Sequence, residues 1–193
     1  MYSFFLKRLI DFIVVFGVLV IIWPILLIMT LWLHFANRGA GAFFTQERPG
    51  QYGKIFKVIK FKTMTDERDE NGDLLPDEKR LTKIGKFIRS TSVDELPQLW
   101  NVFCGDMAFI GPRPERQFFI DQIMKEDPRY RFLFQIRPGV TSYATLYNGY
   151  TDTLEKMVRR LRYDLFYLEH RSWGFDFKIL FMTFMSIVFG KKF

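Results

Sequence analysis

The chain has 193 residues, enough for one domain with a membrane appendage, and it combines a formal net charge of +7 with 49% hydrophobic residues. Its single cysteine, Cys104, excludes an intrachain disulfide, and with only His34 and His170 beside it a structural zinc site is not expected. The positive charge favours an anionic partner such as phosphate, nucleic acid or an acidic lipid surface.

The first predicted element is an apolar run without charges over residues 12–33, long enough to cross a bilayer. A signal peptide fits poorly, because the run is too long and no small-residue cleavage site follows it. Pro24 lies in the middle of the run, where it removes a backbone donor and favours a bend or break.

Basic residues flank this run on both sides, and they are Lys7, Arg8, Arg38 and Arg48. The positive-inside tendency would keep both flanks on the cytoplasmic side, which a hairpin turning at Pro24 satisfies. A spanning helix also tolerates proline, so the residues alone leave the re-entrant and the spanning path equally open. Either path anchors the chain to a membrane.

Residues 37–53 are rich in Gly and turn formers and predict a loop leaving the membrane. Residues 54–64 then alternate basic and apolar side chains, which predicts a strand. Lys54, Lys60 and Lys62 would share one face of that strand. This cationic face is either a solvated edge or a row that binds phosphate, and both interpretations stay open.

The following segments predict a charged loop over residues 65–80 and a short amphipathic helix over residues 81–90. That helix would lie on a membrane surface or on a core, and it delivers Arg89. Further along, residues 153–169 predict a helix, and residues 175–189 predict an apolar or interfacial helix.

Two adjacent carboxylates, Asp94 and Glu95, follow the amphipathic helix in the stretch SVDELPQL. Ser92 and Glu95 have the spacing of a capping box, which would start a helix. Paired carboxylates also suit Mg²⁺ bound together with substrate phosphates, and a carboxylate can form a covalent phosphoryl intermediate. The nearby cations in Gly- or Pro-bounded segments are Arg89, Arg113, Arg137 and Lys60. This set suggests phosphoryl transfer involving a lipid phosphate.

The runs FTQERPG, IFKVIKFKTM, IRSTSVDELPQLWNVFCGDMAFIGPRP and RPGVT resemble the bacterial sugar transferase family, the monotopic phosphoglycosyl transferases. The resemblance covers the whole chain and implies the minimal catalytic form of the family. It implies a mostly helical α/β fold with amphipathic interfacial helices. An N-terminal re-entrant membrane helix-hairpin broken at Pro24 would occupy residues 1–38. A small cytoplasmic catalytic domain with a short sheet would occupy residues 39–193.

The resemblance also implies a reaction: sugar-1-phosphate passes from a UDP-sugar to a polyprenyl phosphate such as undecaprenyl phosphate, and UMP is released. Such a step initiates the assembly of capsule, O-antigen, exopolysaccharide or glycoprotein glycans. Asp94 would be the nucleophile of a ping-pong, Mg²⁺-dependent mechanism, and Glu95 would help to hold the metal or manage protonation. The residues expected to bind phosphate or substrate are Arg113, Arg89, Lys60, Arg137 and Asp164.

The implied location is the cytoplasmic face of the bacterial inner membrane, in contact with membrane lipids and without nucleic acid. A homodimer and association with downstream glycosyltransferases stay open. The alternative function is a non-catalytic basic adaptor that binds anionic lipid or nucleic acid, but it leaves the paired acids unexplained.

The sequence departs from the usual family pattern at two places. Trp23 stands before Pro24 where many members have serine, and residues 141–150 read TSYATLYNGY where T-G-x-x-Q-V-x-G-R is common. The second segment is expected to face nucleotide or sugar, so the donor sugar is not predicted.

Overall fold

A computed structural model describes residues 4–37, 39–148 and 153–189. Its helices are α1 (Phe4–Ala36), α2 (Asp77–Arg80), α3 (Lys83–Ser90), α4 (Gln98–Cys104), α5 (Gln117–Glu126), α6 (Tyr143–Asn148), α7 (Leu154–His170) and α8 (Trp173–Phe189). Its strands are β1 (Phe43–Pro49), β2 (Ile55–Phe61), β3 (Ala108–Ile110) and β4 (Gly139–Thr141). Short 3₁₀ segments cover Gln51–Gly53, Val93–Glu95 and Pro128–Gln135. The mostly helical fold with short strands confirms the predicted fold class at this level.

Helix α1 contains the apolar run and extends beyond it at both ends. Its segment Phe5–Ala36 is long and apolar enough to cross a membrane. The sequence predicts a break at Pro24, but helical backbone continues through this residue. A proline inside a helix costs one backbone hydrogen bond and does not by itself end the helix. The predicted break is therefore not confirmed, and the re-entrant path stays a prediction.

Both ends of α1 are attached to the rest of the chain. Near its start, the Lys7 ammonium lies 2.9 Å from the Asp176 carboxylate of α8. Just after its end, the Asn37 amide donates a 2.8 Å hydrogen bond to the carbonyl of Lys62. Val15 and Leu33 within the helix are fully buried. The helix thus contributes to the packed core, although most of its apolar side chains are exposed.

The loop predicted for residues 37–53 is wrong over residues 43–49, which form strand β1. This strand pairs antiparallel with β2, from Phe43 opposite Phe61 to Pro49 opposite Ile55. The Gly and turn residues on both sides of β1 suggested a loop, whereas pairing with a neighbouring strand determines the conformation of the residues between them. The strand predicted over residues 54–64 is confirmed as β2.

Strands β3 and β4 form a separate parallel pair, with Ala108 opposite Gly139 and Ile110 opposite Thr141. The chain turns sharply just after β3. A Cβ atom on Gly139 would lie 2.1 Å from the backbone nitrogen of Gly111, so this close approach requires glycine. The pair therefore fixes where the Gly111-Pro112-Arg113-Pro114 turn begins.

The remaining predicted elements agree with the structure. Residues 65–80 are mostly irregular and end in the short helix α2. The amphipathic helix is α3, whose first turn is capped by the Thr82 hydroxyl, which accepts from Gly85 N. The helix predicted over residues 153–169 is α7, and Thr153 caps it by accepting from Lys156 N. Helix α8 covers the last apolar segment.

The cluster that supports the site consists of side chains from α1, β2 and α4 and the residues just before β3. Its buried members are Val15, Phe56, Val58, Leu99, Val102 and Met107. A second cluster packs α5 and the 3₁₀ segment Pro128–Gln135 against α7. The first cluster places α4 and β2 side by side, and each of them leads to a charged residue of the candidate site.

Candidate functional site

The two acids lie in the tight turn that joins α3 to α4. The predicted capping box does not form, because Ser92 adopts a left-handed conformation with φ 57° and its side chain makes no capping hydrogen bond. An N-cap residue normally has an extended backbone, which Ser92 lacks. The Glu95 side chain instead faces charged partners, which offer stronger hydrogen bonds than a backbone N–H.

Glu95 binds two cations that approach from different parts of the fold. The ammonium of Lys60, near the end of β2, lies 2.6 Å from Glu95 Oε1. Both terminal nitrogens of Arg113 lie 3.3 Å from the same oxygen. Burial raises the pKa of Glu95, and the positive charges of Arg113 and Lys60 lower it. The effect of the two cations is larger, so the pKa of Glu95 lies below its ordinary value. Glu95 is therefore held ionised.

Asp94 has a different environment from its neighbour. Among the described residues, no ion pair or side-chain hydrogen bond engages its carboxylate. Burial raises its pKa above the ordinary value and Glu95 adds to the effect, while Lys60 and Arg89 oppose it. The pair therefore consists of one carboxylate fixed by two cations and one that forms no ion pair among the described residues.

Arg89 is delivered by the last turn of α3. Its Nε donates a 2.8 Å hydrogen bond to the hydroxyl of Thr63, which follows β2. The helix can approach this segment closely because residue 85 is glycine: a Cβ atom there would lie 2.0 Å from the Thr63 carbonyl oxygen. The structure thus brings Arg89 close enough to lower the pKa of Asp94.

Arg137 does not join this cluster. Its Nε donates a 2.8 Å hydrogen bond to the carbonyl of Gly105, the residue that ends α4. The Arg8 guanidinium of α1 donates to the nearby carbonyls of Val102 and Phe103. A seven-residue helix is about 10 Å long, so these two cations lie at the end of α4 that faces away from the acids. They interact favourably with the carbonyl end of the helix.

Asp164 is also separate from the acid pair. Its side chain is buried in α7, and burial raises its pKa to about 8, although Arg160 opposes the shift. The Arg160 guanidinium lies 3.3 Å from Glu115 Oε1, and Glu115 follows the turn that carries Arg113. Glu95 and Glu115 both raise the pKa of Arg113, and their combined effect outweighs burial. Asp164 thus belongs to a chain of ionisable side chains, with Arg160 and Glu115, that lies behind Arg113.

Sequence reasoning missed two members of this chain, Arg48 and Glu115. Arg48 donates a 3.3 Å hydrogen bond to the carbonyl of Pro114 and lies 3.9 Å from Glu115 Oε2. The turn is thereby held from β1 on one side and from α7 on the other. Both residues are charged and adjacent to proline, in the motifs FTQERPG and GPRPE, and that context was the available signal.

The acid pair has the donor chemistry that Mg²⁺ prefers. Mg²⁺ is usually bound by one or two carboxylates together with substrate phosphates and water. Among the residues that the structure describes, no group of three or more His, Cys, Asp or Glu side chains could form a site on its own. Two carboxylates are the number that such an ion usually takes from a protein, so Asp94 and Glu95 could hold one if substrate phosphates and water supply the other ligands.

An apolar cavity of about 430 Å³ lies beside the acid turn. Ile59 and Phe61 line it from both sides of Lys60 in sequence, and Pro97 lines it two residues after Glu95. Helix α1 contributes Leu19 and Leu26. The cavity thus separates α1 from the face of β2 that is opposite to Lys60.

A family model described as Bacterial sugar transferase matches residues 2–190. A UDP-glucose:undecaprenyl-phosphate glucose-1-phosphate transferase of Klebsiella pneumoniae is 41% identical over 181 residues, 92% of this chain and 39% of that protein. A UDP-N-acetylgalactosamine-undecaprenyl-phosphate N-acetylgalactosaminephosphotransferase of Aeromonas hydrophila is 31% identical over 188 residues, 96% and 44% of the two chains. The uncharacterized sugar transferase EpsL of Bacillus subtilis is 41% identical over 150 residues, 78% and 71%.

The chain spans less than half the length of the Klebsiella and Aeromonas relatives. The family model nevertheless matches nearly all of this chain, including α1, the acid turn and α8. It therefore confirms the resemblance seen in the motifs, and the chain belongs to the bacterial sugar transferase family.

Proposed function

We propose that this chain transfers sugar-1-phosphate from a UDP-sugar to undecaprenyl phosphate or a similar polyprenyl phosphate, with release of UMP. The observation that carries the proposal is the pairing of Glu95 with Lys60 and Arg113 beside Asp94, which forms no ion pair among the described residues and is attracted by Lys60 and Arg89. Relatives whose names state this reaction support it. The product, a polyprenyl-diphosphate sugar, would initiate assembly of a capsule, O-antigen, exopolysaccharide or glycoprotein glycan.

The reaction proceeds in two displacements at one carboxylate. In the first, an oxygen of Asp94 attacks the β-phosphorus of the donor, and the bond from that phosphorus to the bridging oxygen breaks. The bridging oxygen leaves with the electron pair as part of UMP. In the second, a phosphate oxygen of the acceptor attacks the same phosphorus, and the Asp94 carboxylate is released. Because the steps are separate, the two large substrates need not bind together.

The cations around the acid pair neutralise the charge on the transferring phosphoryl group. Arg113 and Lys60 are held by Glu95 on one side of the turn, and Arg89 approaches from α3. Preorganised cations of this kind stabilise a phosphoryl-transfer transition state without reorganising during the reaction. A Mg²⁺ ion, when bound by Asp94 and Glu95, would add further neutralisation of the diphosphate.

The attachment of both ends of α1 to the same folded unit supports a re-entrant, monotopic anchor. Lys7 contacts α8, and Asn37 contacts the segment after β2, so a single membrane crossing would separate contacts that the fold brings together. We place the turn of the helix at Pro24 and the folded unit on the cytoplasmic face, where UDP-sugars are made. A homodimer and downstream glycosyltransferases remain proposed partners.

The apolar surfaces support access to a lipid acceptor. The cavity between α1 and β2 is lined only by apolar residues and by Pro97 and Trp100 of the segment that follows the acid turn, which suits the hydrocarbon part of a lipid acceptor. Helix α8 exposes an apolar face with large side chains at helical spacing, namely Phe177, Leu180, Phe181, Phe184 and Ile187. Such a face is typical of helices that lie in a membrane interface.

The test is release of UMP by the full chain in nanodiscs supplied with Mg²⁺, undecaprenyl phosphate and a panel of UDP-sugars. At least one donor should give UMP with turnover, and without acceptor it should give one equivalent per enzyme. No release from any donor would contradict the proposal and favour the adaptor function.

The Asp94→Asn variant should lose both turnover and the single equivalent of UMP, because the amide is not a nucleophile of this kind. Asp106→Asn, a matched change on the far side of α4, should retain at least about half of the activity, since surface changes away from a site rarely alter it. Full-rate turnover in Asp94→Asn would refute the nucleophile assignment.

A further inference from the structure

Helix α4 carries two buried polar side chains, Gln98 and Asn101, and Asn101 contacts β2. Its amide nitrogen donates a 2.8 Å hydrogen bond to the carbonyl of Lys57. Its amide oxygen accepts a 3.1 Å hydrogen bond from the backbone nitrogen of Ile59. The side chain therefore joins the helix after the acids to the strand before Lys60.

The two backbone groups that Asn101 binds belong to alternate residues of β2, so they point to the same edge of the strand. Among the described residues, β2 pairs with β1 as its only strand neighbour. The amide thus occupies the edge of β2 as a neighbouring strand would, with one donor and one acceptor. Among the side chains, a planar primary amide offers this combination without a charge.

The same residue also organises the end of α4. Its backbone carbonyl accepts hydrogen bonds from Gly105, Asp106 and Met107, at 3.1, 3.0 and 3.2 Å respectively. The backbone of Asn101 is therefore fixed within its helix. The side-chain hydrogen bonds of Asn101 then hold β2 at a defined position relative to α4.

These contacts form a closed ring of linked residues that includes the candidate site. The ring runs from Asn101 to Ile59 and Lys60 of β2, from Lys60 to Glu95, and from Glu95 back along the chain to α4. Ile59 is followed by Lys60, whose ammonium contacts Glu95, and α4 begins three residues after Glu95. A shift of β2 along α4 would move Lys60 relative to Glu95, because Lys60 lies on β2 and Glu95 ends the short 3₁₀ segment that leads into α4. The amide of Asn101 opposes such a shift from inside the ring.

We propose that Asn101 is a positioning residue for the transfer reaction, whose amide sets the register of β2 on α4 and thereby the contact of Lys60 with Glu95. This inference rests on the proposed function. Asn101 is buried at the edge of β2 and acts through Lys60, without touching the substrate.

The variant Asn101→Asp tests this role because it keeps the shape and the acceptor but cannot donate to the Lys57 carbonyl. We expect kcat to fall at least about tenfold, with the donor KM changed less than about threefold, since misplacing a charge that acts in the transition state lowers kcat. A change in KM alone would overturn the proposal.

A double-mutant cycle with Lys60→Ala separates positioning from general stability. If Asn101 acts through Lys60, Asn101→Asp should lower kcat at least about threefold less in the Lys60→Ala background than in the wild type. If Asn101→Asp lowers kcat by factors that agree within about threefold in the two backgrounds, the role of Asn101 is structural only and the proposal fails. UMP release by the wild-type protein is the reference in the same assay. If the wild type releases no UMP, the proposed function fails, and the result says nothing against Asn101 as such.

The matched control is Asn37→Asp, which also removes a buried amide donor to a backbone carbonyl, that of Lys62. Its effect and that of Lys60→Ala should multiply, because Asn37 lies outside the ring. If thermal denaturation shows that Asn101→Asp does not fold, Asn101→Ser, which can make one of the two bonds, enters the same cycle with the same criteria.

Discussion

Lys60 lies beside two carboxylates whose pKa values move in opposite directions. The pKa of Asp94 is raised chiefly by burial, and that of Glu95 is lowered by Arg113 and Lys60 despite burial. Lys60 lowers both values, so it keeps the candidate nucleophile ionised as well as holding its neighbour. The two acids can therefore have different roles although they are adjacent in the sequence.

Replacing Lys60 with alanine should move the acidic limb of the pH–rate profile to higher pH. Asp94 attacks only when ionised, so activity is lost as the pH falls through its pKa. Without Lys60 that pKa rises further, and the loss begins at a higher pH. The measurement is kcat/KM for the donor from about pH 5 to 8.

The control for this prediction is Lys62→Ala, two residues along the chain. Lys62 pairs with Asp66 and the carbonyl of Ala40, away from the acid turn. Its removal should leave the acidic limb in place. An unchanged limb in Lys60→Ala would mean that Lys60 does not act on the nucleophile.

At this scale the paired acids and the cations in Gly- or Pro-bounded segments predicted a charged cluster, and the structure brings Glu95, Lys60 and Arg113 of that set together. They did not predict Arg48 with Glu115, since that pairing depends on how β1 and α7 meet across the fold. Arg137 was grouped with the phosphate-binding residues for the same local reason as Arg113. The structure places it on the carbonyl end of α4.

At the scale of elements, the approach of α3 to the segment after β2 decides where Arg89 lies. The contact is possible because Gly85 has no side chain, and Thr63 receives the hydrogen bond from Arg89 in the same region. The helix position and the arginine position are thus set by one close contact between backbones.

Gly85→Ala should destabilise the protein by about 1–3 kcal/mol, because its Cβ atom would overlap the Thr63 carbonyl and force α3 outward. UMP release should fall as well, since the displacement carries Arg89 away from Thr63. Thermal denaturation in detergent and the UMP assay measure the two effects.

Gly174→Ala in α8 is the matched control, because nothing lies within 4 Å of the position of its Cβ atom. It should leave stability unchanged or raise it slightly, since alanine is favoured over glycine in helices. Equal stability of the two variants would show that α3 has room to accommodate a methyl group at residue 85.

The sequence predicted α3, α7 and α8 well because their apolar spacing and caps are local signals. It did not predict β1, whose flanking Gly residues suggested a loop, and the strand exists through pairing with β2. The capping box failed for a similar reason. Ser92 and Glu95 have the right spacing, but the left-handed backbone of Ser92 and the cations around Glu95 belong to the tertiary structure.

At the scale of the whole molecule, α1 is both the most apolar element and a partner of the core. The sequence pattern does not decide the path of α1 through the membrane, because the length of the apolar run and Pro24 are compatible with a re-entrant and with a spanning helix. The contacts of Lys7 with Asp176 and of Asn37 with Lys62 are long-range and could not be predicted from the pattern.

Cysteines placed at Ser3 and at Tyr52, in a Cys104→Ser background, should be labelled from the same side of the membrane. Both flanks of α1 belong to one folded unit, so a membrane-impermeant thiol reagent should reach both only after the cytoplasmic side is exposed. Labelling of the two positions from opposite sides would establish a spanning helix instead.

The burial of Val15 and Leu33 has a consequence for the order in which parts of the protein fold during synthesis. Helix α1 leaves the ribosome before β2, α3 and α4, the elements that cover these two side chains. Domains fold progressively during synthesis, so the apolar helix meets the membrane first and the core closes on it afterwards. Folding of the site is then completed at the membrane surface, and deleting α1 would remove part of the core along with the anchor.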